Sequence, residues 1–172
     1  MLELRPAIRR AAVSAALLLL AALPAQAETV NLTLLLVNDI DKMEGAGPRG
    51  GFARLAGVVE AERAKGGNLL YVHAGDTLSP SLMAAFDHGK HVIELLNIAP
   101  PDVFVPGNHE FDFGKDVFLE RMSEAKFPLF AANLQDAAGQ PLPGFAATKM
   151  FAFGPAKIGL VGLAADDSPV KS

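Results

Sequence analysis

Between Gly107 and Asp112 the chain places a carboxamide, an imidazole and two carboxylic acids within six residues, Gly107-Asn108-His109-Glu110-Phe111-Asp112. Two other acidic clusters precede it: Asn38-Asp39-Ile40-Asp41 after the apolar run ending at Val37, and Gly75-Asp76 after the run ending at Ala74. Hard divalent ions such as Mn²⁺ and Mg²⁺ favour carboxylate and amide oxygens, and a pair of such ions can generate a hydroxide and clamp a phosphoryl group. The composition therefore suits a metal-assisted phosphate site. Asp76, beside a glycine that allows close approach, suits a bridge between two ions. Asn108 offers a neutral amide oxygen. His109 can donate a proton or stabilise charge, oriented by Asp112 three residues on.

These clusters need elements that bring them together, and the apolar patterning supplies them. Val30 to Val37, Leu69 to Val72, Val103 to Val105 and Pro128 to Ala132 read as strands. Phe52 to Lys65, Ser79 to Phe86, Lys90 to Ile98 and Lys115 to Ala125 read as helices, the first with a core stripe Leu55, Val58, Val59 and the last with Val117, Phe118 and Met122 on one face. Glycine and proline mark the breaks at Gly45 to Gly51, Gly66-Gly67 and Pro100-Pro101. A β-α alternation of this kind predicts an α/β fold with a parallel sheet, in which ligands bind at the carboxyl ends of the strands. All three clusters sit at such ends, so they are expected to meet. A turn-rich segment, Gln135 to Gly144, is followed by two runs, Thr148 to Phe153 and Lys157 to Leu163, that read as paired strands around Gly154-Pro155.

The first 27 residues carry Arg5, Arg9 and Arg10, then an apolar run from Ala11 to Leu23 ending in Ala25-Gln26-Ala27. This is the pattern of a secretory signal peptide, too short for a comfortable membrane span, with cleavage expected after Ala27. The protein is expected to be exported, periplasmic or extracellular, with no membrane attachment after cleavage. Removing the segment leaves residues 28–172, with 12 basic and 18 acidic side chains and a net charge near −6. No basic face marks a nucleic-acid partner. The absence of cysteine in an exported chain excludes a disulfide framework and any thiolate metal site.

Taken together, the three clusters closely resemble the secreted 5′-nucleotidase family of calcineurin-like metallophosphoesterases, whose metal domain carries D-x-H, G-D and G-N-H-E-F-D in this order. Arg49-Gly50-Gly51, Leu95-Leu96-Asn97, Phe127-Pro128-Leu129, Ala132-Asn133 and Ile158 to Leu163 support it, so that the resemblance spans about Leu32 to Asp167. It implies a four-layer α/β-β-α sandwich, of which residues 28–172 are expected to form the amino-terminal half, with a substrate domain beyond. It implies Asp39 on one metal, Asp76 bridging two, Asn108 on the other, and His109 with Asp112 as the catalytic pair. The implied reaction is hydrolysis of nucleotide phosphate esters by hydroxide held between two divalent ions of Mn, Mg, Zn, Co or Fe.

Two departures qualify the resemblance. Asp41 stands where the family has histidine; as a ligand it adds a carboxylate and favours harder ions. The family completes its metal pair with later histidines, and no residue after His109 is histidine, so residues 28–172 alone are expected to be poorly active or inactive. Two rival readings stay open: an exported hydrolase of another small anion, as in sulfur oxidation, and a metal- or nucleotide-binding protein without turnover. Of the remaining histidines, His73 is read as packing or support within a strand, and His88 and His91 as a solvated face at a helix start. Glu110 is read as structural, turned away from the site on a locally extended backbone and bonding a loop amide. Phe111 and Phe113 are read as core.

Overall fold

The computed structural model describes residues 28–45, 47 and 49–166; the leader sequence read from residues 1–27 lies outside them. Five parallel strands form one sheet in the order β1-β2-β3-β4-β5: Leu32–Val37, Asn68–His73, Val103–Phe104, Leu129–Phe130 and Phe145–Ala146. The connections carry α1 (Phe52–Ala64) between β1 and β2, α2 (Leu82–Asp87) and α3 (Lys90–Ile98) between β2 and β3, and α4 (Lys115–Glu124) between β3 and β4. An antiparallel hairpin, β6 (Thr148–Phe153) and β7 (Ala156–Val161), follows with Phe153 facing Ala156. No described helix is long and apolar enough to cross a membrane.

Alternation along the strands divides the core between the two faces of the sheet. Phe104 points to the helices and joins Val92, Ile93, Leu96, Phe118, Met122 and Phe127, all buried. Val103, the residue before it, points to the other face with Leu70 and Phe130, where the hairpin contributes Phe151, Phe153 and Leu160. The hairpin sits tight against the sheet: a Cβ on Gly162 would lie 2.5 Å from the Cβ of Phe130. The mixed α/β class and parallel sheet expected from the alternation are therefore present, with every anticipated strand and helix.

Several boundaries differ for physical reasons. The helix read from Ser79 starts at Leu82, because the Ser81 hydroxyl accepts the amide of Ala84 at 3.0 Å and caps it there. Strand β5 was not expected; two residues carry no periodicity, and Phe145–Ala146 is defined by pairing with β4. On α1, Val58 is half exposed while Phe52 and Val59 are buried. Neighbouring residues on a helix face about 100° apart, so one valine of the pair must turn outward. The backbone at Glu110 is not extended; His109–Phe111 forms a 3-10 turn.

Candidate functional site

Parallel pairing of β1, β2 and β3 sets Val37 beside His73 and His73 beside Phe104, so the three acidic strand ends leave the sheet side by side. Beyond the ladders they stay joined. The Asp39 amide donates to the Gly75 carbonyl at 3.2 Å, and the Thr77 hydroxyl donates to the Ile40 carbonyl. Asp39 and Asp76 both adopt left-handed backbone, φ 56° and 54°, a conformation that aspartate tolerates better than most residues.

Asp76 Oδ1 accepts the backbone amide of His109 at 3.0 Å, which ties the second acidic end to the third. The approach leaves no room for other residues. A Cβ on Gly107 would fall 2.2 Å from Asp76 Oδ1, and one on Gly75 would fall 2.2 Å from the Gly107 nitrogen. Asn108 opens the 3-10 turn, and its side chain makes no capping hydrogen bond there. His109 Nδ1 lies 2.7 Å from Asp112 Oδ2. A carboxylate only accepts, so this nitrogen carries the proton. The hydrogen bond to Asp112 holds the His109 pKa above its ordinary value, with burial acting against it and the Asp112, Asp76 and Glu110 charges adding to the rise.

Two residues support these groups from beneath, and of the two only Glu110 is signalled by its sequence context. The Ser79 hydroxyl donates to the same Asp112 oxygen at 2.6 Å. Glu110, 1% exposed, accepts four backbone amides: Gly107 at 2.6 Å and Asp76 at 2.9 Å on Oε2, Thr77 at 2.8 Å and Leu78 at 3.2 Å on Oε1. Burial pushes its pKa up, and the amides of Thr77, Asp76, Gly107 and Leu78 oppose that rise. All four neighbours are donors, so the ionised carboxylate is the form they fit. The expected bond to a loop amide is thus a set of four.

His73 is fully buried beneath the site. Its Nδ1 accepts the Gly75 amide at 3.2 Å, its ring lies 5.3 Å from that of Phe104, and Nε2 has no partner. Burial lowers its pKa to about 4, which matches a packed, neutral support. His91 is exposed and pairs with Asp87, and His88 lies 4.9 Å from Phe113. Phe111 is partly buried and packs against the core, 4.3 Å from Phe118, whereas Phe113, expected in the core, lies outside it because its ring packs on the exposed His88.

Asp39 and Asp41 line a shallow recess of about 210 Å³ with Lys42, Glu44 and Arg49. Asp76, Asn108, His109 and Asp112 are not among its walls. No group of three histidine, cysteine or acidic side chains among the described residues converges at metal-binding spacing. In kind, the donors fit a hard divalent ion: they are carboxylate and amide oxygens at adjoining strand ends, and Gly107 leaves the carboxylate of Asp76 its space. In number they fall short of the six or so ligands that such an ion takes.

The profile of the family described as "Calcineurin-like phosphoesterase" matches residues 32–154. The snake venom 5′-nucleotidase of Gloydius brevicauda is 30% identical over 171 residues, which cover 88% of this chain and 28% of the venom protein. Among solved structures, the NAD nucleotidase of Haemophilus influenzae superposes with a TM-score of 0.72 at 25% identity, over 80% of this chain and 27% of that one. The 5′-nucleotidase precursor from Thermus thermophilus gives 0.70 at 27% identity, over 80% and 29%. The chain spans less than a third of the length of these relatives.

Proposed function

The chain belongs to the calcineurin-like phosphoesterase family, which implies divalent metal ions, and from that premise we propose that it carries the amino-terminal part of the catalytic centre of an exported hydrolase of nucleotide phosphate esters. The observation that carries this reading is the junction of strand ends: the His109 amide on Asp76 Oδ1, and the His109 imidazole on Asp112. The 5′-nucleotidase and NAD nucleotidase names of its relatives favour a nucleotide substrate.

On this reading Asp39, Asp76 and Asn108 would hold two divalent ions, and Asp41 would add a carboxylate that favours Mn²⁺ or Mg²⁺ over zinc. Bound there, the ions supply positive charge to the phosphoryl oxygens and make water more acidic. The remaining work falls to the chain itself. His109 keeps a proton on Nδ1 against Asp112 and, when charged, presents a second on Nε2 to the phosphate or its leaving oxygen. Asp112 and Ser79 fix the plane of that ring. Residues 28–172 contribute these groups to a longer metal domain, and further ligands and a nucleobase pocket belong to the remainder. Residues 1–27 direct export.

The test is hydrolysis of AMP by the intact protein with Mn²⁺. Asp76→Asn and His109→Ala are each expected to lower kcat by about a hundredfold or more. Unchanged turnover in either folded variant would refute the role given to that residue.

A further inference from the structure

We propose that Glu110 is a positioning residue of this centre, holding the Asp76 loop and the Asn108-His109 loop at the separation that a shared metal ion requires. The inference rests on the metal reading of the site given above. Its starting point is a set of amides without ladder partners. Once β2 and β3 end, the amides of Asp76, Thr77, Leu78 and Gly107 have left the sheet, and buried amides need acceptors. One ionised carboxylate has about four acceptor positions, and Glu110 uses them on these four amides.

The division between its oxygens carries the argument. Oε2 straddles the two loops, accepting from Asp76 after β2 and from Gly107 after β3, while Oε1 holds Thr77 and Leu78. A single rigid group thus sets the distance between the loop that bears Asp76 and the one that bears Asn108. Gly75 fits around it, since a Cβ there would lie 2.7 Å from Oε2. Glu110 makes no ion pair among the described residues.

Glu110→Gln tests this with little change of shape, because a carboxamide offers one acceptor oxygen in place of two. Whichever way it turns, two of the four amides face a donor. In the intact protein, calorimetry with Mn²⁺ alone is expected to show affinity at least tenfold weaker, and AMP turnover should fall at limiting Mn²⁺ and largely recover at saturation. A stabilising role alone would lower Tm but leave Mn²⁺ affinity unchanged well below it, and affinity within twofold of wild type overturns the proposal. If Glu110→Gln does not fold, Glu110→Asp, with the charge kept and the reach shortened, is held to the same criterion. Hydrogen exchange of the wild-type protein needs no variant: Mn²⁺ should slow the amides of Asp76, Thr77, Leu78 and Gly107 together, and no change at these four overturns it. A wild-type protein that binds no Mn²⁺ refutes the metal reading instead.

Discussion

His109 and His73 show how one residue type takes opposite roles around one site. His109 is partly exposed and hydrogen-bonded to a carboxylate, so its charged form is favoured. Its titration by NMR should show a midpoint above 6.5, and Asp112→Asn should bring the midpoint down; an unmoved midpoint would show that the contact is not made in solution. His73 is enclosed and its charged form is disfavoured, with the pKa lowered to about 4. Above pH 6.5 the folded and unfolded chains both hold it neutral. As pH falls below 6.5 the unfolded chain takes up the proton first, so stability is lost between there and about pH 4. That loss is about 2 kcal/mol by pH 5. His73→Asn keeps an acceptor for the Gly75 amide and should flatten this part of the stability curve, as read by urea unfolding at pH 7 and pH 5; an equal slope in both proteins would argue against it. Glu110 was legible as structural, although the extended backbone expected to turn it away is a 3-10 turn. Its four amides were not, since three come from a loop more than thirty residues away.

At the scale of elements, the junction of β2 and β3 rests on two glycines with different constraints. Gly75 has φ 77°, and its missing side chain would strike the backbone of Gly107. Gly107 has no positive φ, and its missing side chain would meet chiefly the carboxylate of Asp76. Gly75→Ala should therefore cost more, roughly 2–5 kcal/mol from the left-handed backbone and the overlap together. Gly107→Ala should cost about 1–3 kcal/mol and displace Asp76 from the His109 amide. Urea unfolding of both variants checks the order, and equal losses would contradict it. Helix α4 is tied to α3 by Asn97, whose side chain donates to the Glu124 carbonyl at 3.0 Å and accepts the Lys126 amide at 2.7 Å. Asn133 links β4 to the end of the hairpin through two bonds with Ala164. Both asparagines lie in segments that carried the family resemblance, and each serves as a joint between elements.

Across the whole molecule, the sheet parts the helices from the hairpin and gathers the polar ends of β1, β2 and β3 along one edge. Much of this was in the sequence. Apolar runs broken by glycine and proline marked every strand and helix except β5, because period and punctuation are local properties of the chain. The three acidic clusters were legible for the same reason, and parallel order made their meeting a consequence of topology. Tertiary structure alone decided the rest. Strand β5 exists only through its partner, and Ser79 reaches Asp112 because the chain before α2 passes the turn after β3. The grip of Glu110 on two loops depends on backbone amides that look alike in any sequence. Side-chain chemistry is written residue by residue, whereas which amides are left without partners is fixed only once the strands have paired.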